Sequence, residues 1–291
     1  MKPRMEDPRS KEPKPPFPKQ HQDPPGLERK MTPRPDHGEW SYVGHGRLEG
    51  RRAFVSGGDS GIGRAVALAF AREGAQVAIG YLPEEESDAQ DAVAAIEESG
   101  GTCLALPGDI RDPATCHHAI DRVVKEFGGI DVLVNNAGWQ QTFASILEIS
   151  PEELDRTFRT NIFAMFYLCQ AAIPYMKPGA SIINTASIQA FRPSPTLLHY
   201  AATKGAIVNF TQGLSQQLAE KGIRVNAVAP GPVWTPLIPS SMETETFGEQ
   251  APLKRPGQPA ELAPVYVLLA SDESSYVTGM VYGVTGGELF T

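Results

Sequence analysis

Tyr200 and Lys204 stand four positions apart in Tyr200-Ala201-Ala202-Thr203-Lys204, a spacing that puts a phenol and an ammonium on one face of a helix. The chemistry open to such a pair is proton transfer. A phenol with a pKa of about 10 is a poor base near neutrality unless a nearby cation stabilises its anion. Ser187, 13 residues earlier, follows the apolar run Ser181-Ile182-Ile183-Asn184-Thr185. It therefore falls at the carboxyl end of an expected strand, where open parallel sheets bind ligands. A serine there can equally cap a turn. A second constellation, Ser56-Gly57-Gly58-Asp59-Ser60-Gly61-Ile62-Gly63, follows another apolar run and opens the amphipathic stretch Arg64 to Glu73. Glycines in that place permit a tight turn and let backbone N–H groups approach a pyrophosphate at a helix N-terminus. The G-x-x-x-G-x-G spacing gains weight from lying between a strand and a helix. Cys116-His117-His118 carries metal-ligand types, but neighbouring side chains on a helix diverge, and no metal is expected there.

These groups need a scaffold, and the hydrophobic pattern predicts one. Short β-branched or apolar runs occur at Ala53 to Ser56, Val77 to Tyr81, Cys103 to Leu106, Val132 to Asn135, Ser181 to Thr185, Val225 to Ala229 and Val281 to Val284. The stretches between them are long enough for crossover helices, the mark of βαβ units. The expected fold is α/β, a single doubly wound Rossmann-type domain with a seven-stranded parallel sheet over residues 45–291. Ser150-Pro151-Glu152-Glu153 reads as a helix start, with a capping hydroxyl, a first-turn proline and an acid three residues after the cap. That helix should run into the Phe163 to Met176 stretch. Its apolar residues, including Phe158, Ile162, Phe166 and Leu168, exceed one core-facing stripe and point to a subunit interface.

The first 44 residues differ from the body. Ten of the 26 prolines and nine Lys/Arg against seven Asp/Glu fall within the first 40, which leaves the remainder of this net −8 chain strongly acidic. With few apolar anchors beyond Phe17 and Leu27, this extension is expected to be disordered or an extended polyproline-like arm. Docking along a neighbouring subunit is the alternative. Deleting residues 1–40 is expected to leave a folded, active body. An acidic body argues against nucleic acid as a partner. The lack of a long apolar run argues against a membrane span, and of an early one against a secretory signal, so the expected location is cytoplasmic. Cys103, Cys116 and Cys169 show no paired spacing and are expected to be free thiols.

Over the whole body the sequence resembles the short-chain dehydrogenase/reductase family. Ser56 replaces the threonine of that family's T-G-x-x-x-G-I-G motif; Asn135-Asn136-Ala137-Gly138 is similar to its structural N-N-A-G turn, and Pro230-Gly231-Pro232-Val233-Trp234-Thr235 to its P-G turn. The resemblance implies a nicotinamide dinucleotide held by Ser56, Gly57, Asp59, Ser60, Gly61, Ile62 and Gly63. Tyr81 and Leu82 at the end of the second strand, and Asp109 and Ile110 near the adenine, would add to that site. Asn136, Ala137 and Gly138, then Pro230, Gly231, Val233 and Thr235, would complete it on the nicotinamide side. A helix cap is the structural alternative for Asp109. Tyr200 becomes the acid/base group, Ser187 the holder of the substrate carbonyl, Lys204 a ligand of the nicotinamide ribose, and Asn161 the holder of a water that joins Lys204 to solvent. Lowering the phenol by about three units takes about 4 kcal/mol, within reach of the lysine and an oxidised nicotinamide ring together.

The choice between NAD and NADP follows neither simple rule, because the second strand ends in Gly80-Tyr81-Leu82-Pro83-Glu84-Glu85-Glu86. Asp59 would repel a 2′-phosphate and Arg64 would offset it; the balance leans to NAD. The expected substrate is a carbonyl or alcohol, and the expected assembly a homotetramer through the helices of Asn161 and Tyr200. The irregular stretch Leu237 to Gln258 suggests a lid, and His199, Trp139, Gln140 and Gln189 are further pocket candidates. The proline-rich start, Gly-Asp-Ser-Gly-Ile-Gly and Tyr-Leu-Pro-Glu-Glu-Glu resemble a bacterial subgroup described as general-stress oxidoreductases or aldehyde reductases. An enoyl reductase would have six residues between tyrosine and lysine instead of three, and an epimerase a larger carboxyl-terminal domain. A dinucleotide sensor or scaffold without turnover is the rival from another class, and such proteins commonly lose the tyrosine or lysine.

Overall fold

The computed structural model describes residues 6–290. Seven strands, β1 (Arg52–Ser56), β2 (Gln76–Tyr81), β3 (Thr102–Pro107), β4 (Val132–Asn135), β5 (Ser181–Thr185), β6 (Arg224–Pro230) and β7 (Val281–Val284), form one parallel sheet. Their order is β3-β2-β1-β4-β5-β6-β7, so the direction of winding reverses between β1 and β4 and opens a crevice at their carboxyl ends. Each strand lies within two residues of its expected place. The strands could be read because a sheet covered on both faces needs apolar residues at every position.

Helices α1 (Gly61–Arg72), α2 (Glu86–Glu98) and α7 (Pro259–Ala270) pack on one face, in a core that includes Val55, Ile79, Phe70 and Tyr266. On the other face α3 (Pro113–Phe127), α5 (Ala164–Ala172) and α6 (Leu198–Ala219) enclose Phe54, Leu133, Ile182 and Leu168. The Phe54 ring explains a glycine on the neighbouring strand: a Cβ at Gly80 would lie 2.8 Å from Phe54 Cζ. Truncating Phe54 would cost about 3–5 kcal/mol, the range for emptying a buried aromatic site.

Ser150 caps α4 (Pro151–Phe158) as its sequence suggests, its Oγ accepting from Glu153 N at 3.1 Å. The helix continues into α5 through a π turn, Arg159–Phe163, centred on Asn161. Single π turns inside helices often mark functional sites, and nothing in the hydrophobic period announces this one. The cap of α3 is Asp112, whose carboxylate accepts from Ala114 N, so the helix-cap alternative for Asp109 does not hold.

The arm departs from expectation. Residues 6–44 lie on the body of their own chain, with Phe17, Gln22, Glu28, Met31 and His37 buried. Composition misjudged it because a few anchors suffice when they meet a preformed surface: Phe17 stacks on Trp234 with ring centres 4.4 Å apart, and Trp234 Nε1 donates to Pro33 O at 2.8 Å. Trp40, by contrast, is almost wholly exposed.

Candidate active site

A cleft of about 570 Å³ opens at the carboxyl ends of the strands. Three loops meet at its base. Gly57, at φ 63°, leaves room for Ala137, whose Cα would be 3.0 Å from an added Cβ; Gly61, at φ 50°, does the same for Thr235. Gly63 permits α1 to close on the loop, since a Cβ there would lie 1.8 Å from Gly57 O. Ser56 Oγ accepts from Asn136 N at 3.0 Å and Ala137 N at 3.2 Å, while Asn136 Nδ2 donates to the Ser56 and Gly57 carbonyls. Ser56 and Gly63 therefore shape the cradle from behind. Gly57, Asp59, Ser60, Gly61, Ile62, Tyr81, Leu82, Asp109, Ile110, Asn136, Ala137, Gly138, Pro230, Gly231, Val233 and Thr235 all line the cleft.

Ser187, Tyr200 and Lys204 line the same cleft. Lys204 is buried, with Nζ donating to Thr185 O at 2.8 Å and lying 5.3 Å from the centre of the Tyr200 ring. Burial pulls the ammonium down to about 7. Burial pushes the Tyr200 phenol up to about 12, against a smaller opposing pull from Ser187. In the protein alone the phenol is thus held protonated and not lowered, because desolvation outweighs its neighbours. Ser187 Oγ also accepts from Gln189 N at 3.1 Å, so the turn-capping role and a place in the cleft coexist.

Asn161 is not on the cleft wall. Its Oδ1 accepts from Trp139 N at 2.7 Å, and its Nδ2 donates to Trp139 O at 2.9 Å and to Thr203 Oγ1 at 3.0 Å. The side chain ties the strand-end loop after β4 to α6 one turn from Tyr200.

Acidic groups gather at the far end. Asp59 is 1% exposed, and its Oδ2 has no hydrogen-bond partner among the described residues. Burial, then Glu85, raises its pKa. Glu85 is itself pushed up to about 7, chiefly by burial and then by Asp88 and Glu84, against the Leu82 N–H that it accepts. Arg64 is turned away from the cleft by Glu28 and Glu39, at 2.9 and 3.2 Å. Asp109 is gripped by Arg111, which holds its carboxyl below the usual range.

Several lining residues had no sequence signal: Arg111, Arg156 and, from the arm, Pro24, Pro25 and Gly26. Thr185 and Ala186 were legible as a strand end. Trp139, Gln140 and Gln189 line the cleft; Trp139 lies under the Arg156 guanidinium, 3.4 Å from its ring centre, and Gln140 donates to Ser241 Oγ at 2.8 Å. His199 does not line it, but packs edge-on against Phe143, 5.3 Å away. The irregular stretch contributes Leu237, Ile238, Met242, Phe247 and Gln250 to the wall, the position of a lid. Cys116 is buried while His117 and His118 are exposed, so the three diverge as expected.

A glycine cradle with no room for side chains, and an unpartnered buried carboxylate oxygen beyond it, fit a dinucleotide with phosphates at one and ribose hydroxyls at the other. Comparison with known proteins agrees. Residues 57–288 match a family model described as enoyl-(acyl carrier protein) reductase. An uncharacterized oxidoreductase of Escherichia coli, YghA, is 56% identical over 276 residues, 94% of each chain. The NADPH-dependent aldehyde reductase 1 of Arabidopsis thaliana is 49% identical over 278 residues, 92% of this chain and 96% of its own. A short chain dehydrogenase from Burkholderia cenocepacia in complex with NADP superposes with a TM-score of 0.78 at 35% identity, covering 83% of this chain and 98% of that one. The chain belongs to the short-chain dehydrogenase/reductase family.

Proposed function

We propose that this protein is an NAD(P)-dependent oxidoreductase that reduces aldehydes or ketones, and oxidises the corresponding alcohols, with NAD preferred. The observation that carries the reading is the presence of Ser187, Tyr200 and Lys204 on the wall of the cleft whose base is the glycine cradle. A reduced nicotinamide, when bound, supplies the hydride. Ser187 holds the substrate oxygen, and Tyr200 gives that oxygen its phenolic proton, which burial keeps in place at neutral pH. Lys204, in its ammonium form 5.3 Å from the centre of the Tyr200 ring, stabilises the phenolate left when that proton is given up. Asn161 keeps α6 in register with the loop after β4 and so acts as a positioning residue.

The dinucleotide is held by the glycine loop, by Asp109 and Ile110, by Asn136 to Gly138 and by Pro230 to Thr235. Preference for NAD follows from Asp59 and Glu85 on the wall and from the engagement of Arg64 elsewhere. Assembly as a homotetramer through α5 and α6 is part of the reading, supported by Phe163, Phe166 and Leu198 exposed on the single chain. Cytoplasmic action suits its three unpaired cysteines.

The test is consumption of NADH and NADPH, measured separately, against aldehydes, ketones and dicarbonyls, with dinucleotide binding followed in parallel. Turnover that vanishes in Tyr200→Phe is expected. Tight binding without turnover across the panel would overturn the reading in favour of a sensor.

A further inference from the structure

Two loops must hold still for the proposed chemistry, the glycine loop 57–63 and the substrate loop 237–258, and the arm touches both. Phe17 sits in an apolar cluster with Trp234, Ile238, Met242 and Phe247. Its N–H donates to Glu245 O at 2.9 Å, Gln22 N to Pro239 O at 2.9 Å, and Thr244 Oγ1 to Pro18 O at 3.0 Å. Here the arm is stitched to the substrate loop by main-chain bonds on either side of an aromatic stack.

At its other end Glu28 is buried, and its Oε1 accepts the first N–H of α1, from Gly61, at 2.6 Å. Arg64 and His37 neutralise the carboxylate at 2.9 and 2.6 Å, and Glu28 N donates to Asp88 Oδ2 at the start of α2 at 2.8 Å. A buried carboxylate so paired tolerates one arrangement, because any displacement leaves charge unpaired. Between these anchors Pro24, Pro25 and Gly26 form part of the cleft wall. Gly26 is pressed so closely on the substrate loop's base that a Cβ would lie 2.5 Å from Pro236 O.

We propose that the N-terminal arm is a working wall of the cleft, with Glu28 the positioning residue for the glycine loop and Phe17 the positioning residue for the substrate loop. Its effect on turnover rests on the oxidoreductase reading; its effect on loop order does not. The arm spans the dinucleotide and substrate halves, and each anchor controls one of them.

The experiment uses the full-length chain as wild type, Phe17→Ala, Phe17→Leu and Glu28→Gln. Hydrogen exchange at 57–63 and 237–258 is followed without dinucleotide, NADH affinity is measured at equilibrium, and carbonyl KM and kcat are measured with saturating NADH. Phe17→Ala is expected to speed exchange in 237–258 at least tenfold and raise carbonyl KM about fivefold, with NADH affinity within twofold and partial rescue in Phe17→Leu. Glu28→Gln is expected to speed exchange in 57–63 and weaken NADH at least fivefold, with 237–258 unchanged. Uniform faster exchange in both loops in either variant would overturn the proposal, as would exchange unchanged in the loop each anchor touches. Wild-type protein that binds no dinucleotide would sink the oxidoreductase reading instead, while the exchange results would still decide the arm's role.

Discussion

Tyr200 and Lys204 perturb in opposite directions for one reason: both are out of water, and each loses its charged form. In Tyr200→Phe the proton donor goes while the ring and its packing stay, so turnover should fall at least a thousandfold with NADH affinity within threefold, read by initial rates and fluorescence titration. Glu85 offers a sharper test of the dinucleotide end. Held near 7, it gains negative charge as pH rises from 6 to 8, on the cleft wall it shares with Asp59. NADPH affinity should therefore weaken relative to NADH over that interval, by up to about tenfold, the most that one group titrating near 7 can transmit between pH 6 and 8. In Glu85→Gln the trend should flatten, and equal pH dependence for both dinucleotides in the wild type would remove Glu85 from the discrimination. The placement of Tyr200 and Lys204 on one cleft wall was legible because a spacing of four fixes a shared helix face. The Asp59–Glu85 pairing was not, since it joins the glycine loop to the segment after β2 through the sheet alone.

At the level of elements, strands and helix starts were legible wherever a local rule dictated them: buried strands read as continuous apolar runs, and Ser150-Pro151 announced its helix. The π turn at Asn161 was not, because an extra residue in a helical turn changes no composition. The arm was hidden for a different reason. Its anchors are sparse, and their partners, Trp234 and Phe247 for Phe17, lie more than 200 residues away in sequence. The arm's ionic network carries its own prediction. His37 is raised from 6.5 to about 9, by Glu28 and Glu39 against burial and Arg64, so its stabilisation is complete below about 6.5 and lost as pH climbs through about 9. Glu28 and Glu39 are both lowered, Glu39 to about 2, so their share is complete above about 4.5 and lost in acid. Thermal melting should show a plateau between about pH 5 and 6.5 and a decline from there to pH 9.5, with the alkaline slope reduced in His37→Gln. An unchanged slope in that variant would mean that the network contributes nothing to stability.

On the scale of the whole molecule, the surface left bare by a single chain is the feature that demands a use. Leu154, Phe163, Phe166 and Leu198 are large, apolar and 39–44% exposed, and they lie on α4, on the π turn, on α5 and at the start of α6. A second apolar group, Tyr276, Met280 and Leu289, flanks β7 on the far edge of the sheet. Two separate sticky faces are what a dihedral tetramer needs, one for each of two kinds of contact, whereas a dimer would leave one of them in water. Phe166 also packs edge-on against Phe210 of α6, 4.5 Å between ring centres, so the first face is continuous with the helix that carries Tyr200. Replacing Phe163 and Phe166 together by glutamate puts like charges opposite one another across any self-pairing of that face. Light scattering should then show a particle of about half the wild-type mass, and kcat should fall at least tenfold as α6 loses its support. Monomeric wild-type protein would refute the assembly, and a tetramer unaffected by the double substitution would move the contact to another face.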